Sequence, residues 1–197
     1  MKSTDLRRPP TSPAEPQIRE VQRRGAASAP AAGGIVCDEM GLGKTIQMLG
    51  LLKTQGKSET LLVAPVAVLD QWEATARKSK IVVFRHHMSS RHVEWKPVNA
   101  VIPGAPRLFI IGYEAAKGHP EIVRDRAWDR LVYDEAQRLG AKNGHHMLAR
   151  QLTARVRWFL TATPIVNGIE DLIHILELLG VEKVSKDLEV LEPLLKE

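Results

Sequence analysis

The sequence predicts an α/β fold of three layers, a mostly parallel sheet covered by helices on both faces. Three observations predict it. Short runs rich in Ile, Val and Leu recur along the middle of the chain without polar alternation, as strands buried on both faces do. Stretches of amphipathic, helical pattern separate them, which is the order of a parallel sheet with crossover helices. The first apolar run also breaks at a glycine-bearing turn that leads directly into a helical pattern, G-G-I-V-C-D-E-M-G-L-G-K-T-I-Q over Gly33 to Gln47.

Taken in order, strands are expected at Gly34–Cys37, Thr60–Ala64, Ile81–Phe84, Leu108–Gly112, Arg130–Asp134 and Arg157–Thr161. Helices are expected at Lys44–Leu52, Val68–Lys78, His146–Thr153 and Ile169–Leu179. Residues 1–32 are rich in Pro, Ala, Ser and Arg, and Pro9, Pro10, Pro13, Pro16 and Pro30 exclude a continuous helix or a central strand there. That segment is expected to be a disordered arm. Residues 33–180 form the predicted lobe, and 181–197 an acidic C-terminal helix or tail.

Composition narrows the class. Over 197 residues the net charge is +5. The middle, residues 34–169, carries 19 Lys/Arg against 12 Asp/Glu, whereas residues 170–197 carry 3 against 8. A basic body suits a polyanion such as nucleic acid, and equally a solvated mixed surface. The single cysteine, Cys37, excludes an internal disulfide framework and reads as core packing. No apolar run is long enough to span a bilayer and no signal-peptide core precedes the lobe, so the expectation is an intracellular, soluble chain without a membrane partner. His86, His87, His92, His145 and His146 lack a ligand framework and read as solvated loop histidines.

Three segments carry chemistry. In the first, Ile35-Val36-Cys37 is the strand, Gly41-Leu42-Gly43 the turn, and Lys44 opens the helix. Glycines let the backbone approach a ligand closely, and several N–H groups then converge at the positive end of a helix dipole, a geometry that holds phosphates. Lys44 would reach β- and γ-phosphates, and Thr45 would put its hydroxyl on Mg²⁺. The pattern G-x-x-x-x-G-K-[ST] is met except at its first glycine, where Asp38 stands. In the second segment, the run Leu131-Val132-Tyr133 ends in Asp134 and Glu135. ATP hydrolysis needs one acid to hold Mg²⁺ and one group to orient or activate the attacking water, roles that suit Asp134 and Glu135 respectively. In the third, Phe159-Leu160 ends in Thr161-Ala162-Thr163-Pro164, whose hydroxyls can bond to the acidic strand end.

Together these segments resemble the first, RecA-like motor lobe of Swi/Snf-type DNA translocases, within the superfamily-two helicase-like ATPases. The likeness rests on D-E-M-G-L-G-K-T-I-Q, L-L-V-A-P-V-A-V-L-D-Q-W, I-I-G-Y-E at Ile110–Glu114, D-E-A-Q-R-L-G-A-K-N and L-T-A-T-P-I-V-N, in the family's order. It implies ATP and Mg²⁺ at Asp38, Glu39, Met40, Gly41, Leu42, Gly43, Lys44 and Thr45, with Asp134 and Glu135. It implies that segments carrying Pro65, Trp72 and Tyr113 face double-stranded DNA, gripped mainly by its phosphates. It implies that Gln137, Thr161 and Thr163 couple nucleotide state to that track, and that the setting is chromatin remodelling or DNA repair, in the nucleus if the source is eukaryotic. Read from the residues alone, Trp72 on an amphipathic helix is more readily a core residue than a base-stacking one.

Three departures shape the expectations. Gln137 replaces the family's histidine; it can still donate and accept hydrogen bonds, but it does not titrate. Gln17 and Gln22 lie in a Pro/Ala/Arg-rich stretch rather than on the family's adenine-contacting helix, which leaves adenine recognition open. The family cleaves ATP between two lobes, the second supplying arginines, and an arginine finger is worth about 10³–10⁵ in rate in GTPases. No such motif follows the acidic stretch, so this chain is expected to turn ATP over very slowly by itself. A non-catalytic docking module that keeps the fold is the alternative reading. A small-molecule P-loop kinase is disfavoured by the Thr-Ala-Thr-Pro segment and the basic middle.

Overall fold

The computed structural model describes residues 32–54, 58–88, 93–140 and 143–181. In chain order the elements are β1 (Ala32–Val36), α1 (Lys44–Thr54), β2 (Glu59–Ala64), α2 (Val66–Lys78), β3 (Val82–Met88), β4 (Val93–Pro97), β5 (Arg107–Gly112), α3 (Tyr113–Gly118), α4 (Pro120–Arg124), β6 (Trp128–Asp134), a 3₁₀ turn (Ala136–Leu139), α5 (Gly144–Gln151), β7 (Ala154–Leu160) and α6 (Ile169–Leu178). The seven strands form one sheet in the order β1-β7-β6-β2-β5-β3-β4. Every pair is parallel except the β3–β4 hairpin. The expected arm and acidic tail fall outside the described residues, save for Ala32, where β1 begins inside the stretch assigned to the arm, and Val181, the first residue of the tail.

Strand side chains alternate between faces, and both faces are apolar. Leu61, Val63, Phe109, Ile111, Leu131, Tyr133 and Phe159 join residues of α3, α5 and α6 in one core. Their neighbours Leu62, Ala64, Leu108, Ile110, Val132 and Leu160 join α1 and α2 through Met48, Leu49, Leu52, Leu69 and Trp72 in the other. This is why the central strands read as continuous apolar runs.

All six expected strands and four expected helices are present, with ends shifted by a few residues. Missing from the reading were β4, α3 and α4. In β4, Val-Glu-Trp-Lys-Pro alternates apolar and polar, the pattern of a half-buried edge strand, with a proline that an edge tolerates. Trp95 packs edge-on to Phe109 and Trp128, which anchors the hairpin.

Asp171 is a second anchor. It is 5% exposed, and its Oδ2 accepts the N–H groups of Val166 (3.0 Å) and Asn167 (2.8 Å). Val166 and Asn167 are themselves exposed, so water can replace the lost acceptor, and removing the carboxylate forfeits the net value of two charge-assisted bonds. Asp171→Ala is therefore expected to cost about 1–2 kcal/mol in urea unfolding; a loss below about 0.5 kcal/mol would mean that the β7–α6 loop is held by other contacts.

Candidate nucleotide site

Strand register brings the three chemical segments together. Val36 lies opposite Leu160, and Leu160 opposite Asp134. Because β1, β7 and β6 are adjacent and parallel, the residues that follow emerge side by side at one edge of the sheet. These are the loop from Asp38, Thr161, and Glu135. The Thr161 N–H donates to Val36 C=O (3.0 Å), which extends the β1–β7 ladder to that edge.

The loop after β1 has the form a phosphate needs. Gly41 and Gly43 take φ of 87° and 82°, in the left-handed region that side chains resist. A Cβ added at either would meet nothing within 4 Å, so the backbone there is open. The first bond of α1 runs from Gln47 N–H to Gly43 C=O (3.0 Å), and the preceding N–H groups of Lys44, Thr45 and Ile46 have no acceptor within the helix. Lys44 Nζ folds over the loop and donates to the carbonyls of Asp38 (2.5 Å) and Glu39 (3.0 Å). The cradle, the lysine and a hydroxyl at the second helical position fit a Mg²⁺-bound triphosphate.

The acidic pair is held from behind. Asp134 is buried. Its Oδ2 accepts the Trp72 indole N–H (2.7 Å), and its Oδ1 accepts the N–H of Glu135 (3.0 Å). The Tyr113 hydroxyl donates to the Asp134 carbonyl (2.9 Å). Trp72 and Tyr113 are 1% and 4% exposed, so their rings do not face a nucleic-acid track. Contact of either ring with DNA is thereby corrected, and the core reading of Trp72 holds: the indole belongs to the core and to the Asp134 carboxylate, the phenol to the Asp134 backbone. Pro65 is half-buried at the start of α2, and its exposed neighbour Val66 presents that segment to solvent.

Glu135 follows with φ 52° and ψ 52°. A non-glycine residue pays about 1–2 kcal/mol for this left-handed conformation, and such strain concentrates at functional sites. A chain of bonds leads away from it. Gln137 Nε2 donates to Glu135 Oε2 (2.7 Å), Thr161 Oγ1 donates to Gln137 Oε1 (2.6 Å), and Thr163 N–H donates to Thr161 Oγ1 (3.0 Å). The Thr161 hydroxyl thus reaches the acidic strand end only through Gln137, not directly. Thr163 takes part by its backbone amide.

Burial raises the Asp134 carboxyl above its usual value; the bonds from Trp72 and Glu135 N–H and the charge of Lys44 oppose this but do not cancel it. An acid whose pKa is raised on folding adds stability below its unfolded value, and that contribution is lost as pH rises through the folded value. Asp134→Asn is therefore expected to gain on wild type in melting temperature as pH is raised from about 4 to 7. A gap that does not change with pH would show that the carboxyl is not perturbed.

Other readings change. Cys37 is exposed at the end of β1 rather than packed in the core. His146 is fully buried, with Nδ1 3.0 Å from Leu139 C=O, not a solvated loop residue. Among the described residues no cluster of His, Cys, Asp or Glu is arranged for a metal ion. Asn143 caps α5 by accepting the N–H groups of His145 and His146, and donates to Arg138 C=O. His92, Lys142, Gln17 and Gln22 lie outside the described residues. No described helix is long and apolar enough to cross a membrane.

A mostly parallel sheet with a phosphate-type loop after one strand and an acidic pair ending another defines a RecA-like α/β lobe. The chain belongs to the SNF2-related domain family, whose profile matches residues 17–192. It is 31% identical over 194 residues to the DNA repair protein rad5 of Emericella nidulans, a match covering 76% of this chain and 16% of that protein. It is 30% identical over 174 residues to a probable global transactivator of Orgyia pseudotsugata multicapsid polyhedrosis virus, covering 82% and 33%. The chain thus spans a sixth to a third of the length of these relatives. Among solved structures, the Sulfolobus solfataricus SWI2/SNF2 ATPase core in complex with dsDNA shares the fold at a TM-score of 0.59 and 22% identity, over 84% of this chain and 35% of that one.

Proposed function

We propose that this chain is the ATP-binding lobe of a DNA-dependent ATPase of Swi/Snf type, hydrolysing ATP with Mg²⁺ when a second RecA-like lobe completes the site. The observation that carries this reading is the level register of β1, β7 and β6. It sets the glycine loop, Lys44, the Asp134–Glu135 pair and Thr161 at one sheet edge. The loop from Asp38 to Thr45 offers N–H groups to phosphate, and Lys44 exchanges its loop carbonyls for phosphate oxygens. Thr45 and Asp134 would hold Mg²⁺, which neutralises phosphate charge when bound. Glu135 orients the attacking water, and its strained backbone fixes the direction of its carboxylate. The bonds from Glu135 through Gln137 to Thr161 and Thr163 carry the state of that carboxylate to the β7–α6 loop.

The partner is double-stranded DNA, held by its phosphates with little sequence preference. The net charge of +5 and the DNA-bound structural neighbour support this. The relatives named for DNA repair support a repair setting, nuclear in a eukaryote. Calorimetric titration of the chain with ATP tests the reading. Binding that requires Mg²⁺ is expected; a folded chain that takes up no Mg-ATP overturns it and leaves a docking module.

Thr161 is fully buried. Thr161→Val keeps its shape but strips Gln137 Oε1 of its donor and Thr163 N–H of its acceptor. In a two-lobed protein carrying this segment, ATP affinity is expected to hold within about threefold while stimulation of hydrolysis by DNA falls by about tenfold. Unchanged stimulation would remove the relay from the mechanism.

A further inference from the structure

The phosphate-type loop carries a carboxylate where its usual pattern has glycine, and the structure shows how that carboxylate is managed. Gln47, on the first turn of α1, donates its amide Nε2–H to Asp38 Oδ2 (2.8 Å) and lies 3.4 Å from Leu42 C=O. Lys44 braces the same loop from the carbonyls of Asp38 and Glu39. Two side chains of one helix therefore hold the loop at both ends.

They differ in what a nucleotide asks of them. Lys44 must leave its carbonyls to reach phosphate oxygens, and at that moment its brace is gone. Gln47 has no such demand on it. Its bond to Asp38 can persist with nucleotide bound, and it points the Asp38 carboxylate at an amide instead of at a polyphosphate, which that negative charge would repel.

We infer that Gln47 is a positioning residue for nucleotide: it pins the Asp38 carboxylate to α1 and keeps the phosphate loop shaped once Lys44 turns to the phosphates. This rests on the nucleotide-site reading above. A neutral donor is needed. Methionine would fill the space but make no bond, and glutamate would set two carboxylates against each other. Exchange of the two groups, asparagine at 38 and glutamate at 47, rebuilds the bond with donor and acceptor reversed and the net charge unchanged.

The test is calorimetric titration of the 197-residue chain with Mg-ATP, beside thermal melting without nucleotide. Gln47 is exposed, so its variants are expected to melt close to wild type. Gln47→Met and Gln47→Glu are each expected to weaken Mg-ATP binding by about tenfold or more. The double variant Asp38→Asn/Gln47→Glu is expected to return to within about threefold of wild type. Wild-type affinity in Gln47→Met, or no recovery in the double variant, overturns the inference and leaves the nucleotide site standing. A folded wild-type chain that binds no Mg-ATP overturns both together.

Discussion

Replacing Lys44 by alanine is expected to weaken Mg-ATP binding by about 100-fold or more, with the chain still folded. The ammonium supplies charge-assisted hydrogen bonds, each worth about 1.5–3 kcal/mol, and two of them to phosphate oxygens account for that loss. Without nucleotide, Lys44 bonds among the described residues to the carbonyls of Asp38 and Glu39, at a site that is partly exposed. Its removal there is expected to cost no more than about 1 kcal/mol. Calorimetry and melting on the same preparation separate the two effects. Equal affinity in the variant would place the phosphates elsewhere and remove the glycine loop from the site.

Replacing Trp72 by alanine is expected to produce the largest loss of stability, about 3–5 kcal/mol from the cavity alone. The indole is 1% exposed and packs in the core between α2 and the sheet. A second cost follows, because its N–H is a donor to the buried Asp134 carboxylate. Against a typical stability of about 5–15 kcal/mol, the alanine variant is expected to lose a large share of its margin. Trp72→Phe separates the terms. It keeps most of the volume and loses the donor, so about 1.5–3 kcal/mol is expected, read from the midpoint of urea unfolding. In that variant the Mg²⁺ needed for half-maximal ATP binding is expected to rise, since Asp134 loses one of the two donors that aim it. A phenylalanine variant as stable as wild type would mean that the indole bond adds nothing net.

The three chemical segments were legible because each has a local cause. Glycines at 41 and 43 answer to backbone conformation, and both adopt positive φ. The central strands were legible because a strand buried on both faces must be apolar throughout. Edge strand β4 was not, because its alternation of Val93, Trp95 and Pro97 with charged residues resembles a polar connector until Phe109 and Trp128 supply the surface it packs on. The resemblance turns the segments carrying Trp72 and Tyr113 towards DNA, whereas the residues alone favour a core position for Trp72. A tryptophan on an amphipathic helix carries no local mark of whether its N–H meets solvent, a base or a carboxylate 62 residues away. Gln47 carries no local mark of its role, since its partner Asp38 lies nine residues back across a turn whose path the sequence does not specify.

By itself the sequence determined the class of fold, the phosphate-type loop, the acidic pair and the threonine segment, because these follow from short-range rules of periodicity, backbone freedom and charge. Only the tertiary structure decided that the three segments are level with one another, through the pairing of Val36, Leu160 and Asp134. It also decided which side chains hold them: Trp72 and Tyr113 on Asp134, Gln137 between Glu135 and Thr161, Gln47 on Asp38. A hydrogen bond is a property of two positions in space, and strand order and register, which set those positions, arise from packing both faces of the sheet at once.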